Sequence, residues 1–324
     1  MKRRGFLSTA AAGLTGVTAS SCAKKPSEPV RTKLFSFIHF TDIHVHPESG
    51  ATEGFLQAIE KMNSFKPDFV LSGGDLQTDV LAADEDRANM LYDLYIKCCE
   101  NFDVPVYNTI GNHEIFGITV PDKVSENHPD WGKEMYKRRL GNGSSYTSFD
   151  HKGVHFLLLD SMGIEKRENA PGHRYIGEIG AEQMSWIKND IAALPENSPV
   201  IATVHIPLFT LLPQIQNGLN SAAARPSVIG DGLELYDILS TRRLMGVFQG
   251  HHHCNETYIY KDAKFIESAA VSGAWWRGSK LGHPEGFSVV DVYDDGIESE
   301  YVTYGWDASQ YNQQALDPDI FPYA

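Results

Sequence analysis

Five short blocks rich in Asp, Asn and His are strung along the 324 residues, and most stand where a short apolar run ends. They are Asp42-Ile43-His44, Gly74-Asp75, Gly111-Asn112-His113-Glu114, Thr203-Val204-His205 and Gly250-His251-His252-His253. A fold gathers polar side chains from distant parts of a chain in this way by setting strands side by side and using their carboxyl ends. The segments between the blocks agree. Leu34 to Phe40, Asp68 to Leu71 and Val104 to Ile110 are runs of strand length, each leading into one block. Between them, Ala51 to Phe65 carries Phe55, Ile59 and Met62 at helical spacing, and Asp84 to Glu100 carries Met90, Leu91, Leu94 and Tyr95 on one face. This alternation predicts packed βαβ units.

The middle of the chain changes character. Phe116 to Ser144 is polar and reads as an insertion with one short helix. Tyr146 to Phe149 and Val154 to Asp160 flank a turn and predict a hairpin-like pair. Ser161 to Gly180 is expected to be a loop, and Ala181 to Leu194 an amphipathic helix. Val200 to Val204 is a strand entering His205, Gly232 to Leu239 a helix, and Leu244 to Gln249 a strand entering Gly250-His251. Four antiparallel strands then follow, from Glu256, Lys264, Phe287 and Ile297. The domain is placed at residues 34–304, with a surface tail over residues 305–324.

Composition is that of an ordinary globular protein, 42% hydrophobic and 22% charged. A formal charge of −14 repels polyanions and sets duplex nucleic acid aside as a partner. Residues 1–21 place Lys2-Arg3-Arg4-Gly5-Phe6-Leu7 before a weakly apolar Ala/Gly/Thr stretch, the pattern of a twin-arginine export signal. Ala19-Ser20-Ser21-Cys22 resembles a lipoprotein cleavage box, so Cys22 is the candidate lipid anchor and residues 22–33 a tether. The expectation is an exported protein of the periplasm or cell envelope that touches membrane only through that anchor. Cys98, Cys99 and Cys254 show no disulfide or zinc-knuckle spacing.

In an extended Asp42-x-His44 segment, carboxylate and imidazole point the same way and can share one ion. Asp75 follows two glycines, which admit close backbone approach, and its carboxylate can bridge two cations. Asn112 offers an amide oxygen, and His205, His251 and His253 offer nitrogen. That donor mixture suits Zn, Mn, Fe or Co better than Ca or Mg alone. Two such ions, divalent or trivalent, would generate hydroxide near neutral pH, and His113 beside Asn112 is placed as general acid. Trp276 and Arg277 are candidate substrate contacts, and His173-Arg174-Tyr175 is a weaker one. Asp79 is a candidate partner for His113. The remaining histidines, His39, His46, His128, His151, His155 and His283, are expected to serve strands, loops or surface.

Together these motifs resemble the full set of the calcineurin-like metallophosphoesterases, over about Leu34 to Tyr304. The resemblance implies an α/β four-layer sandwich of two mixed β-sheets flanked by α-helices. It implies one metal on Asp42, His44, Asp75 and His253, a second on Asp75, Asn112, His205 and His251, and His113 as the catalytic histidine. It implies a phosphoesterase acting on a small phosphate ester, monoester or diester. Two readings compete with it: a non-catalytic metal-binding interaction module on the same fold, and a dinuclear hydrolase of a non-phosphate ester. Two departures from the family pattern narrow the branch. Asp75 is followed by Leu-Gln-Thr-Asp rather than Asp-Arg-Gly, which argues against the protein Ser/Thr phosphatases, and Thr78 replaces the tyrosine ligand of purple acid phosphatases.

Overall fold

A computed structural model describes residues 31–311. The export signal, Cys22, most of the tether and the end of the tail lie outside the described residues.

The first βαβ units form as the periodicity predicts: β1 (Lys33–Phe40), α1 (Ala51–Asn63), β2 (Phe69–Ser72), α2 (Glu85–Cys99) and β3 (Val106–Asn108). The α2 helix starts where Asp84 accepts the Arg87 backbone N–H at 2.9 Å, an N-cap that satisfies one otherwise unpaired donor. The inserted region holds the short α3 (Glu134–Arg139). The hairpin of β4 (Thr147–His151) and β5 (Val154–Leu158) follows.

Residues 161–180 are not a loop. They contain β6 (Met162–Lys166) and β7 (His173–Gly177), an antiparallel ribbon that pairs with neither larger sheet. Its strands are charged and contain Gly163, so no apolar alternation marks them; cross-strand pairs such as Glu165 with Arg174 supply the stabilisation. The order then continues with α4 (Ala181–Ala193), β8 (Pro199–Thr203), the short α5 (Leu212–Asn217), α6 (Gly232–Leu239) and β9 (Arg243–Gln249). The final strands are β10 (Glu256–Tyr260), β11 (Ala263–Glu267), β12 (Gly286–Tyr293) and β13 (Ile297–Thr303). Among the described residues, no helix is long and apolar enough to cross a membrane.

Two mixed sheets result. One has the order β13-β12-β1-β2-β3, the other β10-β11-β9-β8-β5-β4. Three apolar layers show how they stack. Phe35, Phe37, Phe69 and Val290 of the first sheet pack against Phe156, Ile201, Phe248 and Ile266 of the second. The opposite face of the first sheet, with Ile38, Phe40 and Val70, meets Phe55, Ile59 and Leu91 of α1 and α2. The outer face of the second, with Leu157, Val200 and Val247, meets Ile187, Ile191 and Leu235 of α4 and α6. Strands buried on both faces explain why their runs are continuously apolar. The architecture is the four-layer sandwich expected from the motifs.

Every ligand block follows a parallel strand. Asp42 and His44 follow β1, Asp75 follows β2, Asn112 follows β3, His205 follows β8, and His251 and His253 follow β9. Both sheets therefore present candidate ligands at one end of the seam between them.

Candidate metal centre

The turns after the strands are held by backbone hydrogen bonds. Asp42 N–H donates to Gly74 O at 3.0 Å, His44 N–H to Asp75 O at 2.9 Å, and Gly250 N–H to His205 O at 3.0 Å. These bonds force unusual backbone. Asp42 (φ 54°), His44 (46°), Asp75 (52°), His251 (81°) and His253 (58°) all occupy the left-handed region that non-glycine residues seldom enter. Strain gathered in this way persists only where surrounding bonds over-determine it, and it marks functional sites. Gly111 is required by packing: a Cβ there would lie 2.3 Å from Asp75 N and Oδ1.

The side chains converge in two groups. In the first, Nε2 of His253 lies 3.3 Å from Asp42 Oδ1 and 3.1 Å from Nε2 of His44. In the second, Nε2 of His205 lies 3.1 Å from Asp75 Oδ2 and 3.2 Å from Asn112 Oδ1. Asp75 Oδ2 also lies 3.7 Å from Nε2 of His44, so one carboxylate oxygen faces both groups. Potential ligand atoms cluster within 4.8 Å as Asp42/His44/His253, His44/Asp75/His113 and Asp75/His205/His251.

The tautomers explain why such an arrangement needs a cation. Nδ1 of His205 donates to Gly73 O at 2.8 Å, and Nδ1 of His253 donates to Gly273 O at 2.5 Å. In the neutral rings each Nε2 is then a bare lone pair aimed at other acceptors. Lone pairs and carboxylate oxygens pressed together in a buried site repel unless a positive charge sits among them. The carboxylates already favour positive charge at this point. Burial disfavours the His205 imidazolium, but Asp75 and Asp42 outweigh burial and carry its pKa up to about 10. Burial would likewise raise Asp42 and Asp75, yet the imidazoles around them hold both well below the usual carboxylate range. The donor set, imidazole with carboxylate and amide oxygen, fits borderline transition ions.

Neighbouring groups lock these ligands. The Glu114 carboxylate accepts three backbone N–H bonds, from Gly111 (2.6 Å), Asp75 (2.9 Å) and Leu76 (2.8 Å), tying the loops after β2 and β3 together. Glu267, buried at the end of β11, accepts the backbone N–H of His252 at 3.2 Å and contacts its Nδ1 at 3.1 Å. It thereby grips the one histidine of the 251–253 run that points away from the centre. The Asp42 carboxylate accepts His251 N–H at 3.0 Å.

His113 packs edge-on against His44, ring centroids 4.6 Å apart, but is held by a different partner. Its Nδ1 lies 3.0 Å from both the backbone N and the Oδ1 of Asp79, and its Nε2 is 3.9 Å from Asp75 Oδ2. Burial opposes its charge, but Asp75 and Asp79 prevail and raise the pKa to about 9. It lines a cavity of about 320 Å³ together with His44, Asp75, Asn112, His251 and His253.

Trp276 and Arg277 do not line this cavity. Trp276 is 0% exposed, packs beside Gly54 and Trp306, and donates its indole N–H to His44 O at 3.1 Å. It braces the His44 turn from behind, and Arg277 is exposed elsewhere. The wall is formed by the adjacent Trp275, whose ring lies 4.6 Å from His253, and by Tyr175, 5.9 Å from His251. A one-residue change reverses which tryptophan faces the site, and sequence pattern in a Gly-rich stretch carries no signal for that choice. Arg174, Tyr175 and Arg167 reach the cavity from the β6–β7 ribbon. The histidines expected to be ordinary have structural partners: His39 with Ser268, His151 with Asp68, and His155 between Asp150 and Asp190.

The sequence profile of calcineurin-like phosphoesterases matches residues 35–255, a span that contains every candidate ligand. The chain belongs to the calcineurin-like phosphoesterase family. It is 25% identical over 272 residues to a bovine protein named serine/threonine-protein phosphatase CPPED1, covering 83% of this chain and 76% of that one. It is 24% identical over 278 residues to a 3′,5′-cyclic-nucleotide phosphodiesterase of Nostoc, covering 81% of this chain and 89% of that one. A solved dimetal phosphatase from Danio rerio superposes with a TM-score of 0.59 at 14% identity, covering 85% of this chain and 100% of that one. A purple acid phosphatase from yellow lupin gives a TM-score of 0.55 at 14% identity, covering 83% of this chain and 51% of that one. The protein is a phosphoric ester hydrolase with His and Asp side chains positioned to bind metal ions. The missing Asp-Arg-Gly after Asp75 does not separate it from every relative named a protein phosphatase, since the bovine relative carries that name.

Proposed function

We propose that this protein is a dinuclear metal-dependent phosphoesterase that hydrolyses a small phosphate ester, with His113 as general acid. One ion would be held by Asp42, His44, Asp75 and His253, the other by Asp75, Asn112, His205 and His251. A bound pair of ions lowers the pKa of water and withdraws charge from phosphoryl oxygens. His113 donates a proton from Nε2 to the departing oxygen, and Asp79 orients its ring by holding Nδ1. Glu114 fixes the loop that carries His113. The named relatives span phosphatase and phosphodiesterase activities, so monoester and diester both remain within the reading.

The observation that carries this reading is the convergence of Asp75 Oδ2, Asn112 Oδ1 and Nε2 of His205, all acceptors, in a buried pocket. The test is reconstitution of metal-free protein with Fe, Mn, Zn or Co, followed by elemental analysis and assay on 4-nitrophenyl phosphate and bis(4-nitrophenyl) phosphate. Two ions per chain with turnover of either ester is the expected result. Two ions with no turnover of any phosphate ester would overturn the proposal in favour of the binding module or, if a carboxylic ester is hydrolysed instead, of the non-phosphate hydrolase. The amino-terminal pattern extends the proposal to an exported, Cys22-anchored enzyme; the Cys22→Ser protein should leave the membrane fraction.

A further inference from the structure

The β6–β7 ribbon stands outside both large sheets, yet it supplies Arg167 and Arg174 to the rim of the cavity. Apart from Asp75 and the histidines on the floor, these are the charged side chains that line it. The chain as a whole is strongly acidic, with a formal charge of −14, so two guanidinium groups at one cavity run against the surrounding charge. Arg174 meets Glu165 across the ribbon, Nε at 2.7 Å and Nη2 at 2.5 Å from a single carboxylate oxygen. That side-on contact uses the Nε/Nη2 edge of the guanidinium, and Nη1 lies outside it. Arg167 is half-buried at the ribbon's turn, where its backbone N–H closes the loop onto Gly172 O at 3.1 Å.

The rest of the rim is apolar or aromatic: Leu81, Pro226, Tyr175 and Trp275, with Thr119. Tyr175 abuts His251 at one end of the floor, while Trp275 abuts His253 at the other. The arginines lie at the Tyr175 end, on the same strand or at its approach. A cavity of about 320 Å³ suits a small molecule, with the floor taking one phosphate and the rim the remainder.

We infer that Arg167 and Arg174 form a second anion-binding subsite, and that the substrate is a small phosphate ester whose alcohol portion carries another anionic group. The inference rests on the phosphoesterase reading above. Guanidinium recognises carboxylate and phosphate alike, so either could be the second anion.

The experiment uses metal-loaded wild type and the Arg167→Gln, Arg174→Gln and double variants, each checked for fold and metal content. kcat/KM is compared within two matched pairs: glycerol 3-phosphate against 3-phosphoglycerate, and adenosine 3′-phosphate against adenosine 3′,5′-bisphosphate. Wild type should favour the member that carries the second anionic group in at least one pair by about tenfold or more, as expected for a charge-assisted contact. The double variant should lose that ratio. The carboxylate pair and the phosphate pair tell which second anion is read. No preference in wild type overturns the subsite. Equal losses on both members of a pair also overturn it, because the arginines would then be holding the scissile phosphate. If wild type turns over no phosphate ester, the functional reading fails on its own. Calorimetric binding of adenosine 3′,5′-bisphosphate against adenosine 3′-phosphate then still decides the subsite by the same ratio.

Discussion

The floor of the cavity and its rim are held by different means. On the floor, Asp42, His44, Asp75, His251 and His253 sit in left-handed backbone, fastened by bonds from both sheets and by the carboxylates of Glu114 and Glu267. On the rim, Arg167, Arg174 and Tyr175 ride on a two-stranded ribbon that pairs only with itself. The floor is tied into both sheets, whereas the ribbon is tied to neighbouring loops, His173 N–H to Ile118 O at 2.7 Å and Gly177 N–H to Arg225 O at 2.7 Å. The contrast suits a rigid catalytic floor and a rim that contacts the rest of the substrate.

Substitutions can break that contrast or sharpen it. Asp75→Ala should have the largest effect, because one oxygen faces both ligand groups: metal analysis should give fewer than two ions, with activity lost to background. His113→Ala should keep both ions and lower kcat by about 10²–10⁴-fold, most for poor leaving groups. If elemental analysis finds a position emptied, His113 belongs with His44 and Asp75 as a ligand. Trp276→Ala should cost about 3–5 kcal/mol of stability by denaturant titration, since it empties a fully buried site. Glu267→Gln should weaken metal affinity by about 10–100-fold in chelator competition, as partners of ligand loops commonly do. Trp275→Ala should do least, raising KM by no more than about tenfold with stability nearly unchanged. Equal effects from the two tryptophans would erase the distinction between brace and wall.

This contrast also governs what the sequence made legible. The ligand blocks follow apolar strands buried on both faces, and burial of that kind leaves a plain run such as Phe37-Ile38-His39-Phe40. Backbone geometry after a strand then does the rest, so Asp42, Asp75 and His205 could be placed from spacing. The ribbon gives no such signal. Its strands are short and charged, and pairing rather than burial holds them, so residues 161–180 read as a loop. Trp275 and Trp276 differ only in which way a left-handed turn aims each ring, φ 52° and 67° respectively, and composition cannot encode that. Glu267 was missed for another reason: it acts on His252, which carries no chemistry of its own.

Asp42, Asp75 and Asn112 come from one sheet, and His205, His251 and His253 from the other. Metal ions held by side chains from both groups would therefore clasp the interface between the two sheets as well as serve the chemistry. Deeper in that interface, Phe37, Phe69, Phe156 and Phe248 interlock without metal. The two ends of the seam thus differ in kind: the aromatic end is closed by packing alone, and the mouth gathers the side chains that a metal would draw together.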